Sequence, residues 1–280
     1  MTLPIDPGTY SAWMRVEPGR LVDLANLETR DGRGPEGEAL SKKAGKALTK
    51  RNVHILDELQ RRLFAERRRS VLVVLQAMDA GGKDGCIRRV FGPLNPQGVR
   101  VQGFRAPTFE QAQHDFLWRV HAHAPARGYI HVFNRSHYED VLAARVLGHV
   151  PPEVWTRRFA HIRNFEQLLS DEGTLVLKFF LHISKDEQKA RLQRRLADPA
   201  RRWKLSHEDL TARQAWRAYQ VAYEEVFQQT SRPHAPWYVI PADRKWFRDV
   251  AVSTILKTTL EAQGLHWPEP REDLSDLDFA

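Results

Sequence analysis

The sequence predicts an α/β fold, a five-stranded parallel sheet with helices on both faces, a helical lid and an N-terminal helical extension. Three observations predict it. Apolar runs of strand length alternate with helix-length amphipathic stretches along the chain. One run, Val71–Leu75, is β-branched and aliphatic without a break, as a strand buried on both faces requires. That strand leads directly into a glycine-rich turn and a helix start, MDAGGKDG.

Taken in order, residues 1–40 hold Pro4, Pro7, Gly8, Pro18, Gly19, Gly32, Gly34 and Pro35 with little periodicity. They are expected to form an arm wrapping the domain or a partner subunit. A single domain is expected over 41–267, because no Ser/Gly-rich linker divides it. It opens with Ser41 to Arg69, where Leu48, Ile55, Leu56, Leu59 and Leu63 recur at helical spacing among many lysines and arginines. This reads as a basic amphipathic helix, either a solvated face or the mouth of an anion channel.

Further strands are expected at Val99 to Phe104, Tyr129 to Phe133, Thr174 to Ile183 and Trp237 to Ile240. Helices are expected over Phe109–Ala122, His137–Leu147, Pro152–Leu169, Lys185–Leu196, Thr211–Gln229 and Lys245–Gln263. The acidic tail, 268–280, is expected to be mobile. Ligands of such a sheet sit at the carboxyl ends of its strands.

The glycine-rich turn is read as a P-loop. Gly81, Gly82 and Gly85 let backbone N–H groups turn inward, and Lys83 supplies a charge for phosphate oxygens. Against the usual G-x-x-x-x-G-K-[ST] pattern, Ala77 replaces the first glycine and Asp84 the hydroxyl residue. Asp79 and Asp84 flank the lysine, an arrangement that makes sense if one or both hold Mg²⁺.

Two further segments carry chemistry. In VFNRSHYED an apolar strand exits into Asn134 and Arg135, with Glu139 and Asp140 close behind. Asn134 stands where a metal-binding aspartate is usual, which shifts the metal role toward Asp79, with Asp84 and Asn134 as further candidates. Arg135 is placed to reach a phosphate, or to pair with Glu139 or Asp140. Between about 191 and 210, Arg191, Arg194 and Arg195 share one helix side and lead into Arg201, Arg202 and Lys204. That pattern suits a lid closing over phosphates, or a solvated helix face.

Bulk properties narrow the partners. The 280 residues carry a net charge of +8, which calls for a polyanion: nucleic acid, an anionic membrane surface or a highly phosphorylated small molecule. The single cysteine, Cys86, excludes an internal disulfide and is read as a packing residue. No apolar run approaches twenty residues and no signal peptide is recognisable, so a soluble cytoplasmic protein is expected. His121 and His123 are two apart and point in different directions on a helix, which disfavours a metal pair.

The motifs MDAGGKDG, FNRSHYED and RRWKLSHEDL, in that order, resemble the polyphosphate kinase 2 family over about Lys42 to Trp267. The resemblance implies a three-layer α/β/α P-loop kinase fold like that of thymidylate kinase. It also implies Mg²⁺-dependent, reversible transfer of a terminal phosphoryl group between inorganic polyphosphate and nucleotides, adenine or guanine. It implies that Asp79 holds magnesium, Lys83 binds phosphate, Arg135 serves at the second motif and Arg195 in the lid, with Asp79 or Glu139 orienting metal or acceptor. Dimers or tetramers are expected on the same ground. The segment NRSHYEDV differs from the DRSWYNRA of members acting on nucleoside diphosphates; Asn134 and Glu139 resemble class III, whose members accept nucleoside mono- and diphosphates. Two rival readings stay open: an ATP-dependent nucleoside or nucleoside-monophosphate kinase, and a basic nucleic-acid-binding protein with a vestigial P-loop.

Overall fold

A computed structural model describes residues 9–34, 36–270 and 272. Most of the acidic tail therefore lies outside the described residues, as do Pro4, Pro7, Gly8 and Pro35 of the arm. The strands are β1 (Arg15–Val16), β2 (Ser70–Ala77), β3 (Val99–Gly103), β4 (Ile130–Asn134), β5 (Thr174–His182) and β6 (Trp237–Pro241). The helices are α1 (Thr9–Met14), α2 (Lys42–Glu66), α3 (Lys83–Cys86), α4 (Phe109–Ala112), α5 (Trp118–His121), α6 (Ala143–Val146), α7 (Pro152–Asp171), α8 (Lys185–Ala197), α9 (His207–Gln214), α10 (Trp216–Thr230) and α11 (Lys245–Glu261).

The sheet runs β1-β6-β5-β2-β4-β3. All pairings are parallel except β1 with β6. Every residue of β2 and β5 is buried, which explains their unbroken apolar runs. On one face α2 and α11 pack together, and on the other α7 packs on β5 with α10 beside it.

Four sequence expectations change. The sheet has six strands, because the arm adds β1, antiparallel at the β6 edge; a two-residue strand is too short for a period to show. The helix expected over 109–122 is two short helices, because Asp115 Oδ1 accepts the N–H groups of Leu117 and Trp118 and turns the chain between them. The long helix after 211 is likewise split, α9 starting earlier at a Ser206–Asp209 capping box and α10 beginning after Ala215. The segment 137–147 divides into a 3₁₀ turn, His137–Asp140, and α6.

The arm is strapped to the end of the chain. Val16 O accepts from Ser231 Oγ, Leu24 N donates to Glu224 Oε1 at 3.0 Å, and Thr29 Oγ1 donates to Asp243 Oδ2 at 2.9 Å.

Helix α2 buries Leu56, Leu59 and Leu63, as its stripe foretold, and Gly45 where it meets α11. A Cβ at Gly45 would stand 2.4 Å from the Trp246 ring. Gly45→Ala, which helix propensity alone would favour by about 1 kcal/mol, is expected to destabilise by about 1–3 kcal/mol in urea unfolding, since the indole must move. An unchanged or raised midpoint would show that Trp246 gives way freely.

Candidate functional site

The site is built around the turn after β2. A phosphate-binding loop must present N–H groups and keep its carbonyls away, and here side chains from other elements take the carbonyls. Gln188 Nε2 of α8 donates to Asp79 O at 3.1 Å. Arg191 Nη1, one helical turn on, donates to Ala80 O at 3.1 Å and Gly81 O at 2.9 Å. Arg248 Nη1 of α11 donates to Gly82 O at 3.0 Å. The Ala77 carbonyl takes Lys83 Nζ at 3.4 Å and lies 3.3 Å from the Tyr223 hydroxyl.

The turn needs unusual backbone. Ala80 has φ 60 and Gly82 φ 103, both left-handed. A Cβ at Gly82 would also lie 2.3 Å from Arg248 Nη1, so glycine is required twice over there. The loop then enters α3, whose first N–H groups have no helical partners. After one turn the helix widens into a π-helix over Ile87–Phe91. Cys86 is fully buried and burial pushes its thiol up to about 12, so it packs and does not react.

At the end of β4, Arg135 brings the second motif against the first. It takes φ 62, and its Nη2 donates to Asp79 Oδ1 at 3.1 Å while Nη1 stands 4.0 Å from Glu139 Oε2. Asp140 turns instead to Arg119 and Arg158, at 3.5 and 3.7 Å. Asp79, Arg135 and Glu139 line a cavity of about 210 Å³ with Gln188, Tyr219 and Tyr223. A larger groove of about 650 Å³ between α5 and α7 shares none of these residues.

Charges in the site are tightly coupled. Burial lowers the Lys83 ammonium below the ordinary lysine range and Arg135 pushes the same way, with Asp79, Glu139 and Asp84 opposing. Burial raises the Glu139 carboxyl, against Arg135 and Lys83. Burial and then the Glu139 charge drive the Tyr219 hydroxyl up to about 12, so it stays protonated at neutral pH. Burial works to raise Asp84, but Lys204 and Asn134 outweigh it and hold its carboxyl low.

Asp84 links the loop to the segment after α8. Its Oδ1 accepts from Asn134 Nδ2 at 3.0 Å and its Oδ2 from Lys204 Nζ at 2.7 Å. Lys204 lies in a 3₁₀ turn, Arg202–Lys204, which this bond ties to the phosphate loop. Gly85 sits inside α3, and its carbonyl accepts from Arg89 Nη1.

The three arginines of α8 part company. Arg191 points into the fold, with Nε on Glu187 and Nη2 on the carbonyls of Ala242 and Asp243, so all five N–H donors are used by protein. It shapes the loop and has none left for substrate. Arg194 is exposed and pairs with Glu187 at 3.0 Å, while Arg195 is half-buried with no ion pair among the described residues. Helical spacing put them on one side but could not tell which would find internal acceptors.

Sequence reasoning missed Gln188, Arg248, Tyr219 and Tyr223. For Arg248 a signal existed: Arg-Asp is the one charged pair within the apolar stretch FRDVAVSTIL of α11, and Arg248 Nε donates to Asp249 Oδ1 at 2.8 Å with both side chains buried.

Comparison with known proteins gives a consistent result. A family model described as polyphosphate kinase 2 matches residues 39–267. An AMP/ADP-polyphosphate phosphotransferase of Meiothermus ruber is 50% identical over 256 residues, 91% of this chain and 95% of that protein. An ADP-polyphosphate phosphotransferase of Rhodopseudomonas palustris is 42% identical over 267 residues, 91% of each. The crystal structure of polyphosphate kinase 2 from Arthrobacter aurescens superposes with a TM-score of 0.89 at 42% identity, covering 95% of this chain and 93% of that one.

Two outcomes are expected from this geometry. Arg191→Lys leaves loop carbonyls without donors and should destabilise by about 1–3 kcal/mol in urea unfolding while weakening tripolyphosphate binding in calorimetry; wild-type values for both would refute the tie-back. The Asp84–Lys204 contact is exposed and screenable. Hydrogen exchange over 201–206 should therefore quicken with salt in the wild type and be fast and salt-insensitive in Asp84→Asn. Because the folded Asp84 pKa is depressed, the contact should persist just below the ordinary aspartate range and be lost as pH falls through the lower value.

Proposed function

Because the chain belongs to the polyphosphate kinase 2 family, we propose that it is a polyphosphate:nucleotide phosphotransferase, moving the terminal phosphoryl group of inorganic polyphosphate reversibly onto ADP and AMP. The observation that carries the reading is the junction of the two motifs, where the Arg135 guanidinium bridges Asp79 beside the phosphate loop and Glu139 in the adjoining cavity. Donor phosphates belong on the loop and the acceptor in the cavity. The two named relatives support ADP as acceptor, and the Meiothermus ruber protein supports AMP as well.

Transfer is read as in-line attack. A terminal phosphate oxygen of the acceptor bonds to the end phosphorus of the donor, and the P–O bond to the shortened chain breaks with its electron pair. Lys83 and Arg135 neutralise charge on the equatorial oxygens, and Glu139 orients the acceptor. Lys204, freed from Asp84, brings the lid's charge to the donor, with Arg194 and Arg195 on the approach. No side chain has to form a covalent bond.

Magnesium fits the donor set. Asp79 uses one carboxylate oxygen on Arg135, and Asp84 and Asn134 offer further oxygens close by. No group of three or more His, Cys, Asp or Glu suited to a metal ion occurs among the described residues. A sparse oxygen set suits an ion that keeps waters and takes substrate phosphates as ligands. Asp79 would hold it, with Asp84 and Asn134 in reach; when bound it supplies charge neutralisation to the phosphates.

Among the described residues no helix is long and apolar enough to cross a membrane. We read the protein as a cytoplasmic homo-oligomer, a dimer or tetramer, whose positive charge serves a polyanionic substrate and not nucleic acid.

Purified protein with Mg²⁺ and ADP should form ATP only when polyphosphate is present, and AMP should be phosphorylated too. Phosphorylation of nucleosides or AMP by ATP but not by polyphosphate would favour the rival kinase, and binding of nucleic acid without any transfer the other rival. An inert AMP would overturn the acceptor range alone. Lys83→Ala should lower kcat by at least about 10²–10³-fold with unchanged circular dichroism; retained turnover would remove Lys83 from the mechanism.

A further inference from the structure

Strand β5 reads TLVLKFFLH, with one lysine in an otherwise apolar core strand, and the Lys178 side chain is fully buried. All three of its protons are used: Nζ donates to Glu166 Oε2 at 2.6 Å, to Thr230 O at 2.8 Å and to the Tyr138 hydroxyl at 3.0 Å. Glu166 of α7 is equally buried, and its other oxygen accepts from the Tyr138 hydroxyl at 2.7 Å and lies 3.4 Å from His137 Nε2. One ammonium and one carboxylate thus grip the two consecutive residues that stand between Arg135–Ser136 and Glu139.

Stability does not account for this arrangement. Taking both ions out of water costs several kcal/mol each, and well-packed apolar residues of the same volume commonly serve a core as well or better. Burial pulls the Lys178 ammonium down to about 8 although Glu166 opposes it, the direction such a desolvation cost dictates.

What the pair does determine is the place of the 137–140 turn. Arg135 enters that turn at φ 62, a conformation that persists only where the surroundings over-determine it. Ser136 adds a second anchor, accepting from Gln76 Nε2 at 3.1 Å and from the Tyr138 N–H at 3.2 Å. Tyr138 is further wedged edge-on against Trp237 at 4.8 Å between ring centroids.

We propose that the buried Lys178–Glu166 pair is a positioning device for phosphoryl transfer, acting through Tyr138 and His137 to hold Arg135 and Glu139 at the reacting phosphates. The inference rests on the phosphotransferase reading above. Lys178 and Glu166 do not line the cavity; their effect is on where the turn sits.

The test replaces the charge as a unit, Lys178→Met with Glu166→Gln, which keeps an acceptor for Tyr138, and compares it with Tyr138→Phe. The double variant should unfold at a urea midpoint near or above that of the wild type. Its kcat with polyphosphate and ADP should fall about 10–100-fold, as for a misplaced catalytic group, with the KM for polyphosphate within about twofold. Tyr138→Phe should show a smaller fall in kcat with the same constant KM. A folded double variant with wild-type kcat would overturn the proposal, and so would an unchanged kcat in Tyr138→Phe if the double variant fails to fold. A wild type with no polyphosphate-dependent transfer would instead overturn the reading of the function, which the same assay series reports separately.

Discussion

The structure depends on where the carbonyls of one turn point. Between Asp79 and Gly82 four consecutive peptide oxygens are held by Gln188, Arg191 and Arg248, and these donors come from helices that begin more than a hundred residues later in the chain. Guanidinium groups suit the task because each offers several N–H donors in a fixed plane. Arg191 ties the loop at once to Glu187 on its own helix and to the turn after β6. Helix α11 in turn stands where it does because it packs closely along α2. The phosphate loop is thus held from α8 and α11, with α2 packed behind α11.

A second constraint follows from the left-handed backbone at Ala80 and Arg135, each of which costs on the order of 1–2 kcal/mol for a residue with a Cβ. Both lie at the ends of adjacent parallel strands, and Arg135 donates across to Asp79 from one of them. The strain puts an arginine, an aspartate and a glutamate in one small space. The charges offset one another, so no one of them stands there as an unpaired ion.

Much of this was legible in the residues. The apolar runs located five strands and the glycine-rich turn located the loop. Asp79, Lys83, Asp84, Arg135, Glu139 and Lys204, chosen from three separated motifs, do come together. What escaped is what only tertiary partners decide. Periodicity placed Arg191 beside Arg194 and Arg195, but the accepting carbonyls of Ala80, Gly81, Ala242 and Asp243 drew it inward. The helix break at Asp115 comes from a local side-chain bond, and the early start of α9 from the Ser206–Asp209 capping box, local contacts that outweigh the amphipathic pattern around them. The lone charges in β5 and α11 were visible as anomalies, and their meaning lay in residues elsewhere in the chain.

The strap made by the N-terminal arm carries a consequence for time. Its bonds join residues 215, 214 and 200 positions apart: Val16 with Ser231, Thr29 with Asp243, Leu24 with Glu224. Loop closure over such spans is entropically unfavourable until the intervening chain is compact. On a ribosome residues 16–29 emerge long before Glu224, Ser231 and Asp243 exist, and β6 is the last strand to be made among the described residues. The arm must therefore wait, because β1 can pair only once β6 has been made. A chain halted before β6 would leave the arm without its partners and β5 as an open sheet edge, the kind of unpaired strand on which other chains associate.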